Sequence, residues 1–236
     1  MMIIDSKKAA VIVAHPDDEI LGCGATIRKL SLVGCDVNVL ILGEGMMARK
    51  GEADKKNITI ELSMLREHCL QANRIVGVRN VVFKAFPDNQ FDTVSLLDIV
   101  KVVEGFLQQY PSSLVFTHHR GDLNIDHQIT NRAVLTACRP GSAWSPEMIL
   151  SFDVLSSTAW YFGSRENYFI PNLYVDVSST LTDKINAMAY YKSEIKPFPY
   201  ARSLESIQNQ ARHLGSIVNI KAAEGFEIIR AVFRDD

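Results

Sequence analysis

The chain alternates between two hydrophobic rhythms. Residues 9–14 (Ala-Ala-Val-Ile-Val-Ala) form a short unbroken apolar run, the pattern of a strand buried on both faces of a sheet. Apolar positions then recur at helical spacing over 21–32 and stop at Gly34. A second apolar run covers 37–42, and helical spacing returns over 60–76, ending at Gly77. The same reading predicts a strand over 81–86, a helix over 95–109 before Pro111, a strand over 114–117 and a helix over 126–138 before Pro140. Beyond that point the rhythm is less regular. Strands are expected over 148–154, 173–177 and 226–232, with helices over 181–192 and 204–213.

Strand and helix in alternation predict an α/β fold of three layers, a mostly parallel sheet with helices on both faces. The C-terminal third reads as an irregular extension of that sheet, so residues 1–236 are expected to form one domain. The polar, glycine-containing segment 44–56 follows the second strand. It reads either as a lid over a site at that end of the sheet or as a solvated loop.

Composition narrows the function classes. With 47% apolar and 22% charged residues among 236, the chain is an ordinary globular protein. Lys plus Arg is 25 and Asp plus Glu is 27, a net charge of −2, so no basic field favours nucleic acid. Every apolar run is far shorter than the roughly 20 residues that span a bilayer, and integral membrane association is not expected. The first residues do not form a basic stretch followed by a long apolar one, so no secretory leader is expected. Cys23, Cys35, Cys69 and Cys138 form no C-x-x-C pair, which fits reduced thiols and a cytoplasmic location.

Two polar clusters carry the chemistry. His15-Pro16-Asp17-Asp18-Glu19 begins where the first strand ends, the place where open α/β sheets put their ligands. Adjacent buried carboxylates repel one another, and a divalent cation removes that cost. His15 and Asp18 offer a nitrogen and an oxygen, a set suited to zinc or another first-row metal. The three acids equally suit the positive N-terminus of the following helix. The second cluster, His118-His119-Arg120-Gly121-Asp122-Leu123-Asn124-Ile125-Asp126-His127, also lies between an apolar strand and a helix. In a parallel sheet the two clusters lie on the same side. His127 then completes a His-Asp-His set, and three protein ligands with one open position are the mark of a catalytic zinc. A lone helical histidine is more often a packing residue; two acid-histidine clusters at equivalent strand ends favour a metal. With those ligands assigned, Asp17 is free to act as general base on water whose pKa the zinc lowers to about 7. The chemistry implied is metal-assisted hydrolysis of an amide.

The blocks Ala14-His15-Pro16-Asp17-Asp18-Glu19 and Gly121-Asp122-x-x-x-Asp126-His127 resemble those of the PIG-L/LmbE-like zinc-dependent N-deacetylases. Weaker likenesses are Arg66-Glu67, Phe86-Pro87-Asp88-Asn89, Arg202-Ser203-Leu204-Glu205 and Ala223-Glu224-Gly225-Phe226-Glu227. The resemblance implies a Rossmann-like fold, a zinc cofactor, an amino-sugar conjugate as substrate and a homo-oligomer. It implies His15, Asp18 and His127 as metal ligands, Asp17 as general base, and Asp126 as the acid that orients a histidine. Arg66, Asn124 and Asp88 are expected near substrate, although Arg66 also fits an exposed helix residue. One position departs from the family: many members carry a histidine where this chain has Asn124. An amide donates a hydrogen bond but delivers no proton near neutral pH. Either Asp17 returns the proton it took, or His118 or His119 substitutes from the strand end; Asp17 is favoured, with His119 as a helper.

Two other readings remain. A metal- and sugar-binding relative with weakened turnover is kept in play by Asn124. Gly43-x-Gly45-x-x-Ala48 imitates a dinucleotide fingerprint, but a polar run follows where a helix must open, which disfavours a nucleotide-cofactor oxidoreductase.

Overall fold

The computed structural model describes residues 6–45 and 55–232, with side chains of 55–59 left aside. The chain runs β1 (Lys8–Val13), α1 (Asp18–Leu32), β2 (Asp36–Gly43), α2 (Lys55–Val76), β3 (Asn80–Phe86), α3 (Leu96–Gln109), β4 (Leu114–His118) and α4 (Ile125–Ala137). There follow β5 (Met148–Phe152), β6 (Leu173–Asp176), α5 (Leu181–Met188), α6 (Leu204–Ile217) and β7 (Ala223–Ala231). The seven strands form a sheet in the order β3-β2-β1-β4-β5-β7-β6. The first five run parallel, while β7 lies antiparallel to both β5 and β6. The expected α/β architecture with a mostly parallel sheet is what forms.

Alternation along β1 shows why there are three layers. Ala9, Val11 and Val13 belong to one apolar core with residues of α1, α2, α5 and α6. Ala10, Ile12 and Ala14 belong to a second core on the other face, with α3 and α4. A strand with both faces covered has no polar position to offer, hence the unbroken apolar run. From β1 the chain proceeds outward to β2 and β3, then returns to β1's other side as β4. That reversal makes the carboxyl ends of β1 and β4 a topological switch point, where a crevice opens between loops leaving in opposite directions.

The differences from expectation are local. The helix after β1 starts at Asp18, ahead of the apolar periodicity, and it breaks at Cys23 (φ −147°, ψ 22°). Beyond the break, Glu224 of β7 accepts from the backbone N–H groups of Ala25 (3.1 Å) and Thr26 (2.7 Å). It thus caps the second half of α1 from inside the protein. Only a partner two hundred residues away makes that break tolerable, so no local pattern announces it. The C-terminal third is an extension of the sheet as expected, but an ordered one. β7 begins at Ala223, earlier than its apolar run, because Ala223–Phe226 pair with β6. The helix expected over 181–192 ends at Met188 and continues as turns to Glu194. Most of segment 44–56 lies outside the described residues, so neither a lid nor a loop is described there; its last two residues begin α2. The four cysteines are buried free thiols.

The cap on α1 is itself balanced. Buried Lys184 of α5 reaches Glu224 Oε1 and the Leu21 carbonyl, both at 2.7 Å. Breaking a buried pair by removing one partner strands the other charge. Lys184→Met is expected to cost about 3–5 kcal/mol, read as a lower urea midpoint at unchanged slope. Adding Glu224→Gln should recover part of it; equal midpoints for wild type and Lys184→Met would show that the pair carries no stability.

Candidate metal centre

The turn after β1 is tied to a side chain at the end of β4 and to the backbone at the end of β2. The Ala14 N–H donates to His118 Nε2 at 2.9 Å, and Gly43 at the end of β2 donates to the Ala14 carbonyl at 2.7 Å. Pro16 has a fixed φ within the turn and restricts the backbone of His15 before it. The His15 N–H donates back to Asp18 Oδ2 at 2.9 Å. These contacts set the imidazole of His15 and the carboxylate of Asp18 side by side at the crevice floor.

Asp18 Oδ2 is the point of convergence. His15 Nδ1 lies 3.5 Å from it and His127 Nε2 lies 3.3 Å from it. Ligand atoms of His15, Asp18 and His127 all fall within 4.8 Å of one another. The two distal nitrogens are held from behind. His15 Nε2 meets Asp126 Oδ2 at 2.9 Å and Asp88 Oδ1 at 3.2 Å, and His127 Nδ1 meets Asp122 Oδ2 at 3.1 Å. Metal-binding histidines are oriented in this way, the outer N–H donating to a carboxylate. The carboxylates are themselves anchored. Asp126 accepts from the N–H groups of Asn89 (2.6 Å) and Phe91 (2.9 Å), and Asp122 from Ser157 (3.0 Å), Thr158 (2.5 Å) and Asn124 N (2.8 Å).

The donor set fits a divalent cation, and one atom shows the fit directly. Asp18 Oδ1 is buried and has no hydrogen-bond partner among the described residues. An unpaired buried carboxylate oxygen is costly, and a cation between Asp18 and the imidazoles removes that cost. Protons play this part otherwise. Burial alone would lower the histidine pKa values, yet Asp126 and Asp18 raise His15 to about 9. Asp18 and Asp122 raise His127 to about 10 against the same burial. Burial would raise Asp18, but His127 and His118 hold it well below the usual carboxylate range. Two nitrogens and one carboxylate oxygen are a zinc-type donor set, which other first-row metals also accept.

Asp17 stands next to this group in an unusual backbone state, φ 102° and ψ −28°. A non-glycine residue there costs about 1–3 kcal/mol and persists only where its surroundings enforce it. Glu19 Oε2 accepts the Asp17 N–H at 3.1 Å, and Ile20 and Leu21 donate to its carbonyl. Glu19 is in turn pinned by Tyr191 (2.5 Å) and Asn73 (2.8 Å); burial pushes its pKa up to about 7. Burial also pushes the Asp17 carboxyl up, opposed by Arg202, whose Nη1 lies 2.7 Å from Asp17 Oδ2.

The other expected residues are dispersed. His118 stacks on His127 at 3.9 Å. Burial and His127 lower its pKa to about 3, so its Nε2 stays an acceptor for Ala14. His119, next along the strand, points elsewhere: its nitrogens meet Glu227 and the Asn167 carbonyl, each at 2.8 Å. Asp88 sits behind His15, with Asp126. Asn124 is the N-cap of α4, accepting from Asp126 N at 2.8 Å and donating to Asn89 Oδ1 at 2.9 Å. Arg66 is exposed, its guanidinium 4.4 Å above the Phe83 ring, along a cleft of about 380 Å³ that begins at Pro16. Sequence reasoning assigned no role to Asp122, Arg202, Glu194 or the Ser157-Thr158 pair. The only signals were Asp122's place in the second block and Arg202's in a weak C-terminal likeness.

Comparison with known proteins shows which family the chain belongs to. Residues 10–138 match the family described as PIG-L: GlcNAc-PI de-N-acetylase. Diacetylchitobiose deacetylase of Thermococcus kodakarensis is 26% identical over 243 residues, covering 97% of this chain and 85% of that protein. The structure of N,N'-diacetylchitobiose deacetylase from Pyrococcus horikoshii, complexed with its inhibitor MPG, superposes with a TM-score of 0.75 at 21% identity. That match covers 95% of this chain and 84% of the other. GalB of Pseudomonas putida KT2440, a 4-carboxy-2-hydroxymuconate hydratase, superposes with a TM-score of 0.73 at 18% identity, covering 98% and 99%. The fold therefore hosts more than one reaction, and function has to be argued from the site. The family match spans both strand-end clusters and more than half of the chain: this protein belongs to the PIG-L family.

Proposed function

We propose that this chain is a metal-dependent hydrolase, with zinc the fitting metal, that removes an N-acetyl group from an amino sugar or amino-sugar conjugate. The observation that carries the reading is the convergence of two carboxylate-backed imidazoles on Asp18 directly beside a strained Asp17. The names of the relatives, deacetylases of acetylated sugars, support the substrate class. A cation held by His15, Asp18 and His127 would supply Lewis-acid polarisation of the amide carbonyl and activation of water.

The chain's own residues supply the rest. Asp126 and Asp88 hold His15, and Asp122 holds His127, so that both imidazoles present their inner nitrogens to the cation. Asp17 takes a proton from the attacking water and returns it to the departing nitrogen, yielding acetate and a free amine. Asn124 caps α4 and carries no ionisable proton, and both nitrogens of His119 are committed elsewhere. Asp17 is the acid that remains. The cleft running from Pro16 past Leu65, Arg66 and Phe83 offers an apolar wall and one guanidinium to the sugar moiety.

Asp17→Asn is expected to keep stoichiometric metal and lose about 10²–10⁴-fold in kcat on an N-acetylated sugar, read as free amine released. Full activity in that variant would remove Asp17 from its role. His127→Ala should lower bound zinc measured by elemental analysis, and unchanged stoichiometry would remove His127 from the ligand set. Chelator treatment of wild type should abolish amine release and added zinc restore it; binding of acetylated sugar without any release would instead identify a relative that has lost turnover.

A further inference from the structure

The C-terminal third reaches the carboxylate of Asp17 through Arg202. Arg202 immediately precedes Ser203, the N-cap of α6, and its guanidinium is largely buried. Nη1 donates to Asp17 Oδ2 at 2.7 Å and to Glu194 Oε2 at 3.1 Å, while Nε donates to Ser156 Oγ. Ser156 follows β5 and Glu194 follows α5, so two segments far apart in sequence hold the guanidinium. Ser156 also leads into Ser157 and Thr158, which anchor Asp122 behind His127. The metal-side scaffold and the arginine therefore share one support.

Asp17 needs such a partner. Its backbone is held by Glu19, but its carboxylate can still rotate about two side-chain bonds. The partner of that carboxylate among the described residues is Arg202, at Oδ2. Anchoring Oδ2 restricts the rotation of the carboxylate and so the position of Oδ1. Three acids besides Asp17 crowd this spot, namely Asp18, Glu19 and Glu194, and like charges would otherwise drive the carboxylate away from them. The planar fork of an arginine meets Ser156 with one nitrogen while binding Asp17 and Glu194 with another; a lysine ammonium does not reproduce that geometry.

We infer that Arg202, held by Ser156 and Glu194, is a positioning residue that fixes the carboxylate of Asp17 for proton transfer. This rests on the reading of Asp17 as general base. A misplacement of about 1 Å at a catalytic group can cost 10²-fold in rate. Arg202→Ala should therefore lower kcat about 10²-fold with KM nearly unchanged, while bound zinc stays stoichiometric. Millimolar guanidinium should restore part of kcat in Arg202→Ala and do nothing for Asp17→Asn. Arg202→Lys should be intermediate, and serves if the alanine variant does not fold. Unchanged kcat in the lysine and alanine variants, or a loss confined to KM, would overturn the inference; the latter would make Arg202 a substrate contact. A crystal structure of the zinc-loaded variant gives a readout independent of turnover. The Asp17 carboxylate should leave its wild-type position, and an unmoved carboxylate would overturn the inference. Inactive wild type on every acetylated sugar, with Asp17 displaced in the variant, would instead count against the functional reading alone.

Discussion

Asp18 is a buried carboxylate approached by three imidazoles, those of His15, His118 and His127, and its second oxygen is left without a protein partner among the described residues. Much of the surrounding structure exists to hold this arrangement. Removing a carboxylate from water is expensive unless positive charge or donors replace the lost solvation. Here protonated imidazoles or a cation supply that charge. The histidines can serve either role only because Asp126, Asp88 and Asp122 fix them from behind. Those acids in turn lean on backbone N–H groups and hydroxyls, so the charge is distributed outward through several hydrogen-bonded layers.

The scaffold meets this demand by its topology. β1 and β4 are neighbours in the sheet although a hundred residues separate them, and their carboxyl ends open on the same side. The first turn of α1 is acidic, and the helix breaks further on at Cys23. The Lys184–Glu224 pair mends the break from the far end of the chain. A hydratase and a deacetylase share this fold at low identity, which is consistent with a rigid frame whose chemistry is set by the side chains at the switch point.

The parts of the fold that sequence reveals are those governed by local periodicity. The β-α alternation through α4 is legible because each strand is covered on both faces and each helix shows one apolar stripe. The grouping of His15, Asp18 and His127 is legible for a related reason, since these residues sit in short polar blocks that follow apolar strands. That Asp126 orients a histidine is implied by the family likeness of the same block, but that this histidine is His15 appears only in the fold. Asp122 behind His127 is not legible there, because an acid five residues before a histidine has no fixed orientation until Ser157 and Thr158 clamp it. His119 looks equivalent to its neighbour on paper; just past the end of β4 its imidazole is taken by Glu227 of β7 instead.

Sequence by itself thus determined the layered α/β frame, the two polar clusters and the residue types able to hold a metal, because those depend on spacing along a few turns or strands. Tertiary structure alone decided which nitrogens face inward and which acid backs each imidazole. It also decided that Arg202 meets Asp17 across 185 positions of chain. Such pairings are settled by strand order and by the need to compensate every buried charge, and neither constraint leaves a mark on the local pattern of residues.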